Sequence, residues 1–268
     1  MKQILLVNDV VGYSHVGMVA MLPILTHQGH AVFNLPTALV SNTLDYGRFN
    51  TLETTDYMRG TLPVWQELGF RFDAICTGLM FSEEQARIVS DYCRKQHGQG
   101  TIIFVDPIMG DAGRLYNGMG QKQVELMRDM VSVADLTMPN LTEACYLAGL
   151  PYPIKGTDDK GAQQLLDAVA RLGAKSVVIT SAMVNGQRCV LGLSDGLHFR
   201  IDYTELPKAF HGTGDIFSAV LIGKLMNGCS LQEGTQAAVT VVSRLIERNL
   251  DQQDTCLGIP VEQCMDLL

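Results

Sequence analysis

The 268-residue chain lacks the glycine-rich fingerprints by which nucleotide sites are often read: it has no G-x-x-x-x-G-K-[ST] and no G-x-G-x-x-G after a strand. It also has no G-x-S-x-G elbow, and its six histidines show no metal-ligand spacing. Aromatic residues make up 7% of the chain, with a single tryptophan, Trp65, read like the methionines as packing. The seven cysteines are scattered, odd in number and never arranged as C-x-x-C, a pattern of free thiols rather than of disulfides or zinc. No apolar run approaches a membrane span, and "ILLV" near the N-terminus is cut short by Asn8 and Asp9, too soon for a signal-peptide core. A cytoplasmic location and no membrane partner are therefore expected. The formal net charge of -8 argues against nucleic acid as a partner.

With 47% hydrophobic and 18% charged residues, the chain suits one well-buried α/β domain, read as 1–268 without a linker or internal repeat. "ILLVND" (4–9) reads as a buried strand, and residues 17–29 as a helix stopped by Gly29. "AVFNLPTAL" reads as a second strand, "SNTLDYGRFN" as irregular, 53–68 as a helix and 73–78 as a strand. A helix capped by Ser82 follows, then strand 101–107, "ADLTMPN", the short helix "LTEACYLAG", a helix around 159–172 and strand 176–181. Such alternation predicts a mainly parallel sheet with helices on both faces. The "DG" at 195–196, between "QRCVLGLS" and "LHFRIDYTEL", signals a hairpin, so antiparallel strands should end the sheet at its C-terminal edge. Two helices, opened by "HGTGDIFSAVL" and "LQEGTQAAVTVV", close the chain.

In open α/β sheets, ligands gather beyond the carboxyl ends of the strands. Three stretches there carry chemistry. "GTGD" (212–215) places small residues at a helix start, where free N–H groups and the helix dipole favour an anion. Asp215 beside them is placed either as a base for an attacking hydroxyl or as a cap of its own helix. "VDPIMGD" (105–111) delivers Asp106 and Asp111, a pair suited to Mg2+ or to ordinary turns. "MPNLTEA" (138–144) sets Glu143 three positions after Asn140, which fits a capping box or a nucleotide-facing pair. His15 and His211 lie near these stretches and are given no role.

Taken together and in this order, "DPIMGD", "PNLTE" and "GTGD" resemble the ribokinase-like superfamily, and within it the pyridoxal (pyridoxine, pyridoxamine) kinases. The likeness extends over nearly the whole chain, through "NDVVGYSHVG", "LPTALVSNTLDYGRF", "VDPIMGDAGRLY", "DLTMPNLTEA", "VVITS" and "FHGTGDIFSAVL". It implies a three-layer α/β/α fold, a homodimer, and transfer of phosphate from ATP to the 5′-hydroxymethyl group of a vitamin B6 form, in pyridoxal phosphate salvage. It also implies Asp215 as base, the amides of Gly212, Thr213 and Gly214 as the anion hole, and Asp106, Asp111 and Glu143 around Mg2+ and the triphosphate. Asn140, Glu143, Tyr116 and Thr180 match nucleotide-side positions, and potassium often assists. On the ring side, Asp9 stands where many of these kinases have serine. "SNTL" replaces "SNHT", putting Leu44 at the threonine position with Thr43 one residue earlier, and Gly78-Leu79 replaces "GY". A carboxylate at position 9 is suited to a protonated pyridine nitrogen, a ring hydroxyl or an aminated vitamer. Hydroxymethylpyrimidine kinase of thiamine synthesis and a non-catalytic B6-binding homologue are the competing readings.

Overall fold

The apolar run after Lys2 forms strand β1 (Gln3–Tyr13), which continues past Asn8 and Asp9 rather than ending there. Ile4 to Val7 are fully buried, as expected of a strand covered on both faces. The computed structural model describes residues 1–116 and 119–268, in two compact units: Met1–Phe81 with Leu206–Leu268, and Ser82–Glu205.

In the first unit β1 is followed by α1 (Met18–His27), β2 (Ala31–Asn42), β3 (Thr51–Glu53), α2 (Thr55–Glu67) and β4 (Ala74–Thr77). The strand order is β4-β1-β2-β3, with β1 parallel to both β2 and β4 and β3 antiparallel to β2. The register of β1 on β2 slips between Asn8 and Val10: Asp9 alone stands opposite Thr37 and Ala38 of β2. Irregularities of this kind re-aim a side chain. Part of the "SNTLDYGRFN" stretch is thus ordered, since β2 runs to Asn42, a 3-10 turn covers Leu44–Tyr46 and β3 begins at Thr51.

The second unit contains α3 (Glu83–His97), β5 (Ile102–Val105), the small hairpin β6 (Gly110–Asp111) and β7 (Arg114–Leu115), α4 (Gln121–Val131), β8 (Leu136–Thr137), α5 (Leu141–Ala148) and α6 (Asp159–Ala170). It ends with β9 (Ser176–Val184), β10 (Gln187–Ser194) and β11 (Leu197–Asp202). The Ser82 hydroxyl accepts the Gln85 N–H, the cap expected of α3. The order is β5-β8-β9-β10-β11, parallel as far as β9 and antiparallel from there. The expected Asp195–Gly196 hairpin turn forms with both residues at positive φ, and Asn185–Gly186 makes a second one between β9 and β10.

The first unit is completed by α7 (Thr213–Met226) and α8 (Leu231–Arg248), which pack on each other, α7 also lying against α1. Helix α7 is buried along Ile216 to Gly223, so it is the central helix of its unit. A capping box of Ser230 and Glu233 starts α8.

Gly186 has φ +80° at the second turn. Gly186→Ala is expected to destabilise the chain by about 1–2 kcal/mol, the cost of a left-handed conformation for a residue with Cβ, and urea unfolding would measure it.

Candidate active site

One candidate cluster lies where β1, α1 and α7 of the first unit meet. Gly212 is the N-cap of α7 with φ +78°, and no side chain caps the helix. A Cβ on Gly212 would fall 2.8 Å from the His15 carbonyl, whereas one on Gly214 would meet nothing within 4 Å. Gly212 is therefore required by the backbone, and Gly214 leaves open space over the first turn. Asp215 does not cap its own helix. Its Oδ2 accepts the Gly17 N–H at 2.8 Å and its Oδ1 accepts from Asn8 Nδ2 at 3.4 Å. Burial pushes its carboxyl above the usual range, and the Gly17 N–H and Asn8 only partly offset this.

Asn8, with 1% of its surface exposed, organises this corner. Its Oδ1 accepts the N–H groups of Asp9 and Leu79, at 3.0 and 2.9 Å. Gly78 makes room for it, since a Cβ there would lie 2.4 Å from the Asn8 amide carbon. Asp9 is 8% exposed, and its carboxyl is pushed up to about 7 by burial and then by the charge of Asp215. Both carboxylates converge on Gly17, where a Cβ would fall 2.7 Å from Asp9 Oδ1. Gly17 has φ +59°, so its glycine is needed both for conformation and for space.

Of the other expected ring-side residues, Thr43 is buried and its hydroxyl donates to the Cys256 carbonyl at 3.1 Å, while Leu44 is half exposed on the 3-10 turn. The same turn carries Asp45, paired with His211 Nε2 at 2.7 Å, and Tyr46, bonded to Asp254. His211 therefore has a partner that its sequence position did not suggest.

A second candidate cluster belongs to the second unit. Asn140 and Glu143 form the capping box of α5: Asn140 Oδ1 accepts the Glu143 N–H at 3.0 Å, and Glu143 Oε2 accepts the Asn140 N–H at 2.8 Å. Glu143 does more than cap, because Oε1 also accepts the Met109 N–H at 3.0 Å and the carboxylate is bonded by the Gly110 N–H. Asn140 Nδ2 donates to the Gly110 carbonyl at 2.8 Å. The start of α5 thereby pins the loop after β5, and Tyr116 is tied back by its N–H to the Met109 carbonyl at 2.9 Å. Burial and the neighbouring charge of Asp106 raise the Glu143 carboxyl well above its ordinary value.

Asp106 thus stands by Glu143, but Asp111 is exposed on the β6–β7 turn, where it accepts the Ala112 N–H. Among the described residues, no three His, Cys, Asp or Glu side chains form a ready metal cluster. Thr180 bridges to Asn140 and bonds the Pro139 carbonyl through its N–H at 3.0 Å, and the next residue, Ser181, is held at φ +59°.

An uncapped helix start beside a buried carboxylate, and a carboxylate pair at a strand end, are arrangements suited to phosphoryl transfer, and the chain is a kinase of the ribokinase-like class. It belongs to the phosphomethylpyrimidine kinase family, whose profile matches residues 17–259, and within it to the pyridoxal kinase group. The pyridoxine/pyridoxal/pyridoxamine kinase of Bordetella avium is 30% identical over 254 residues, covering 87% of this chain and 80% of that protein. The pyridoxal kinase of Arabidopsis thaliana is 33% identical over 154 residues, 54% of this chain, which spans about half (48%) of that protein's length. A Bacteroides thetaiotaomicron protein, crystallised in an orthorhombic form with pyridoxal, superposes with a TM-score of 0.93 at 33% identity, over 99% of this chain and 95% of that one.

Gly78→Ala forces Asn8 out of place and should cost about 1–3 kcal/mol, as overpacking does, measurable by chemical unfolding. A folded-state carboxyl raised to about 7 binds its proton more tightly than in the unfolded chain, so Asp9 removes stability as pH rises from about 4 through about 7. Asp9→Asn should reduce the fall in melting temperature between pH 5 and pH 8, and an unaltered fall would contradict the assignment.

Proposed function

We propose that this chain phosphorylates the 5′-hydroxymethyl group of a vitamin B6 form with ATP, a reaction of pyridoxal phosphate salvage. The observation that carries the reading is Asp215: a buried carboxylate turned away from capping its own helix and held beside an uncapped first turn with open space at Gly214. In this reading Asp215 takes the proton of the 5′-hydroxyl, the oxygen attacks the γ-phosphorus, and the bond to the ADP oxygen breaks. The raised Asp215 carboxyl suits a group that must receive a proton. The amides of Gly212, Thr213 and Gly214 would donate to the phosphoryl oxygens as charge spreads over them.

On the nucleotide side we assign Asn140, Glu143, Tyr116 and Thr180. The donor set there fits a divalent cation, since Asp106 crowds against a second carboxylate whose charged form is disfavoured. Glu143 is committed to three N–H groups and is the anchor behind Asp106, while Asp111, on its exposed turn, would reach the ion through water. Bound there, Mg2+ would supply charge neutralisation to the triphosphate. On the ring side we assign Asp9, Thr43 and Leu44. Residues 1–268 are proposed to act as one kinase domain, with potassium as the assisting ion, in the cytoplasm; among the described residues no helix is long and apolar enough to cross a membrane. A homodimer is proposed as well, with the exposed cross-strand pair Leu39 and Leu52 on the β2–β3 edge as a surface for a second copy to cover.

The second reading, phosphorylation of a pyrimidine such as hydroxymethylpyrimidine, is favoured by the family's name, which specifies a methylpyrimidine substrate. Coupled ADP release with Mg-ATP, in potassium and in sodium, on the three B6 forms and hydroxymethylpyrimidine separates the two. We expect turnover of the B6 forms, and turnover of the pyrimidine alone would overturn the assignment. Asp215→Asn should fold like the parent chain and lose about 10²–10⁴ in turnover, the usual contribution of a general base.

A further inference from the structure

Asp9 raises a separate question: what compensates a buried carboxylate set next to another one? Its side chain is more than nine-tenths buried and is bonded only by its own backbone N–H, and among the described residues no Lys, Arg or His pairs with it. The charged neighbour that faces it is Asp215, which has the same sign. Burying an unpaired carboxylate is costly, and a second one nearby adds to the cost. Neither the bulge nor the packing needs an acid here, because an amide or hydroxyl of similar size would accept the same N–H. The group lies in the corner that also holds the proposed base, and Gly17 lies against both carboxylates.

We propose that Asp9 is a specificity-determining residue that selects a cationic substrate, the aminated B6 form, by pairing with its 4′-ammonium. This rests on the B6 kinase reading above and narrows it to one class of substrate. The amine is carried on the ring carbon next to the one bearing the reacting hydroxymethyl group. A substrate whose hydroxyl meets Asp215 therefore presents its ammonium close by, where Asp9 stands. The aldehyde and alcohol forms offer Asp9 a neutral partner instead. The ammonium would compensate both carboxylates, and Asp9 would give up its proton to solvent as the amine binds.

The test compares wild type, Asp9→Asn and Asp9→Ser for kcat/KM on pyridoxamine, pyridoxine and pyridoxal. Equilibrium binding of pyridoxamine and pyridoxine is measured beside it by calorimetry in two buffers of different ionisation enthalpy. We expect wild type to favour pyridoxamine over pyridoxine by about 10–100-fold, the worth of a hydrogen bond to a charged group. That ratio should collapse in both variants, together with the proton released on pyridoxamine binding. A ratio unchanged by the variants overturns the proposal. So does a loss shared equally by all three forms, which would set Asp9 against a group they have in common, such as the ring nitrogen. Binding keeps the two levels apart. Selective pyridoxamine binding that depends on Asp9, without turnover of any B6 form, supports the charge selection and overturns the kinase reading, whereas turnover without selectivity does the reverse.

Discussion

The hydrogen bond from the Gly17 N–H to Asp215 is the interaction on which the cluster in the first unit depends. It turns a carboxylate at the third position of α7 away from the helix's own N–H groups, which is what leaves that first turn free to receive an anion. The bond requires Gly17 at positive φ, with no Cβ to strike Asp9. It also requires Asn8 to hold the other oxygen, and Asn8 in turn requires the space left by Gly78. Asp215 is thereby fixed by two hydrogen bonds from elsewhere in its unit, which depend on the glycines at 17 and 78.

The cluster in the second unit is held by a different device. Glu143 is both the reciprocal cap of α5 and the acceptor that holds the loop after β5. The capping-box reading of its sequence holds, and the same carboxylate gathers Met109 and Gly110 and so shapes the loop that Asp106 begins. Its buried charge, disfavoured by Asp106, is balanced in part by those N–H groups.

Much of this was legible in the sequence because the signals are local. Alternating apolar runs, the Ser82 cap, the Asp195–Gly196 turn and the Asn140/Glu143 spacing each act within a few residues. The sequence points to an end of β1 at Asp9 because Asn8 and Asp9 look like a strand exit; the strand continues because the Leu79 N–H and a bulge against β2 accommodate them. Helix α4 escaped notice because Gly120 starts it without a side-chain cap, and the β6–β7 hairpin because Ala112–Gly113 is a weak turn signal. The roles of Asn8 and Gly17 are not legible locally, since their partner Asp215 lies about two hundred residues away and no local pattern records it.

The account turns on where the reacting hydroxyl sits. A crystal structure of the chain with a non-hydrolysable ATP analogue and a B6 form would locate it directly. The account predicts the 5′-hydroxyl hydrogen-bonded to Asp215, with the terminal phosphate against the amides of Thr213 and Gly214. A B6 ring bound with that hydroxyl away from Asp215, or a terminal phosphate distant from the start of α7, would contradict it.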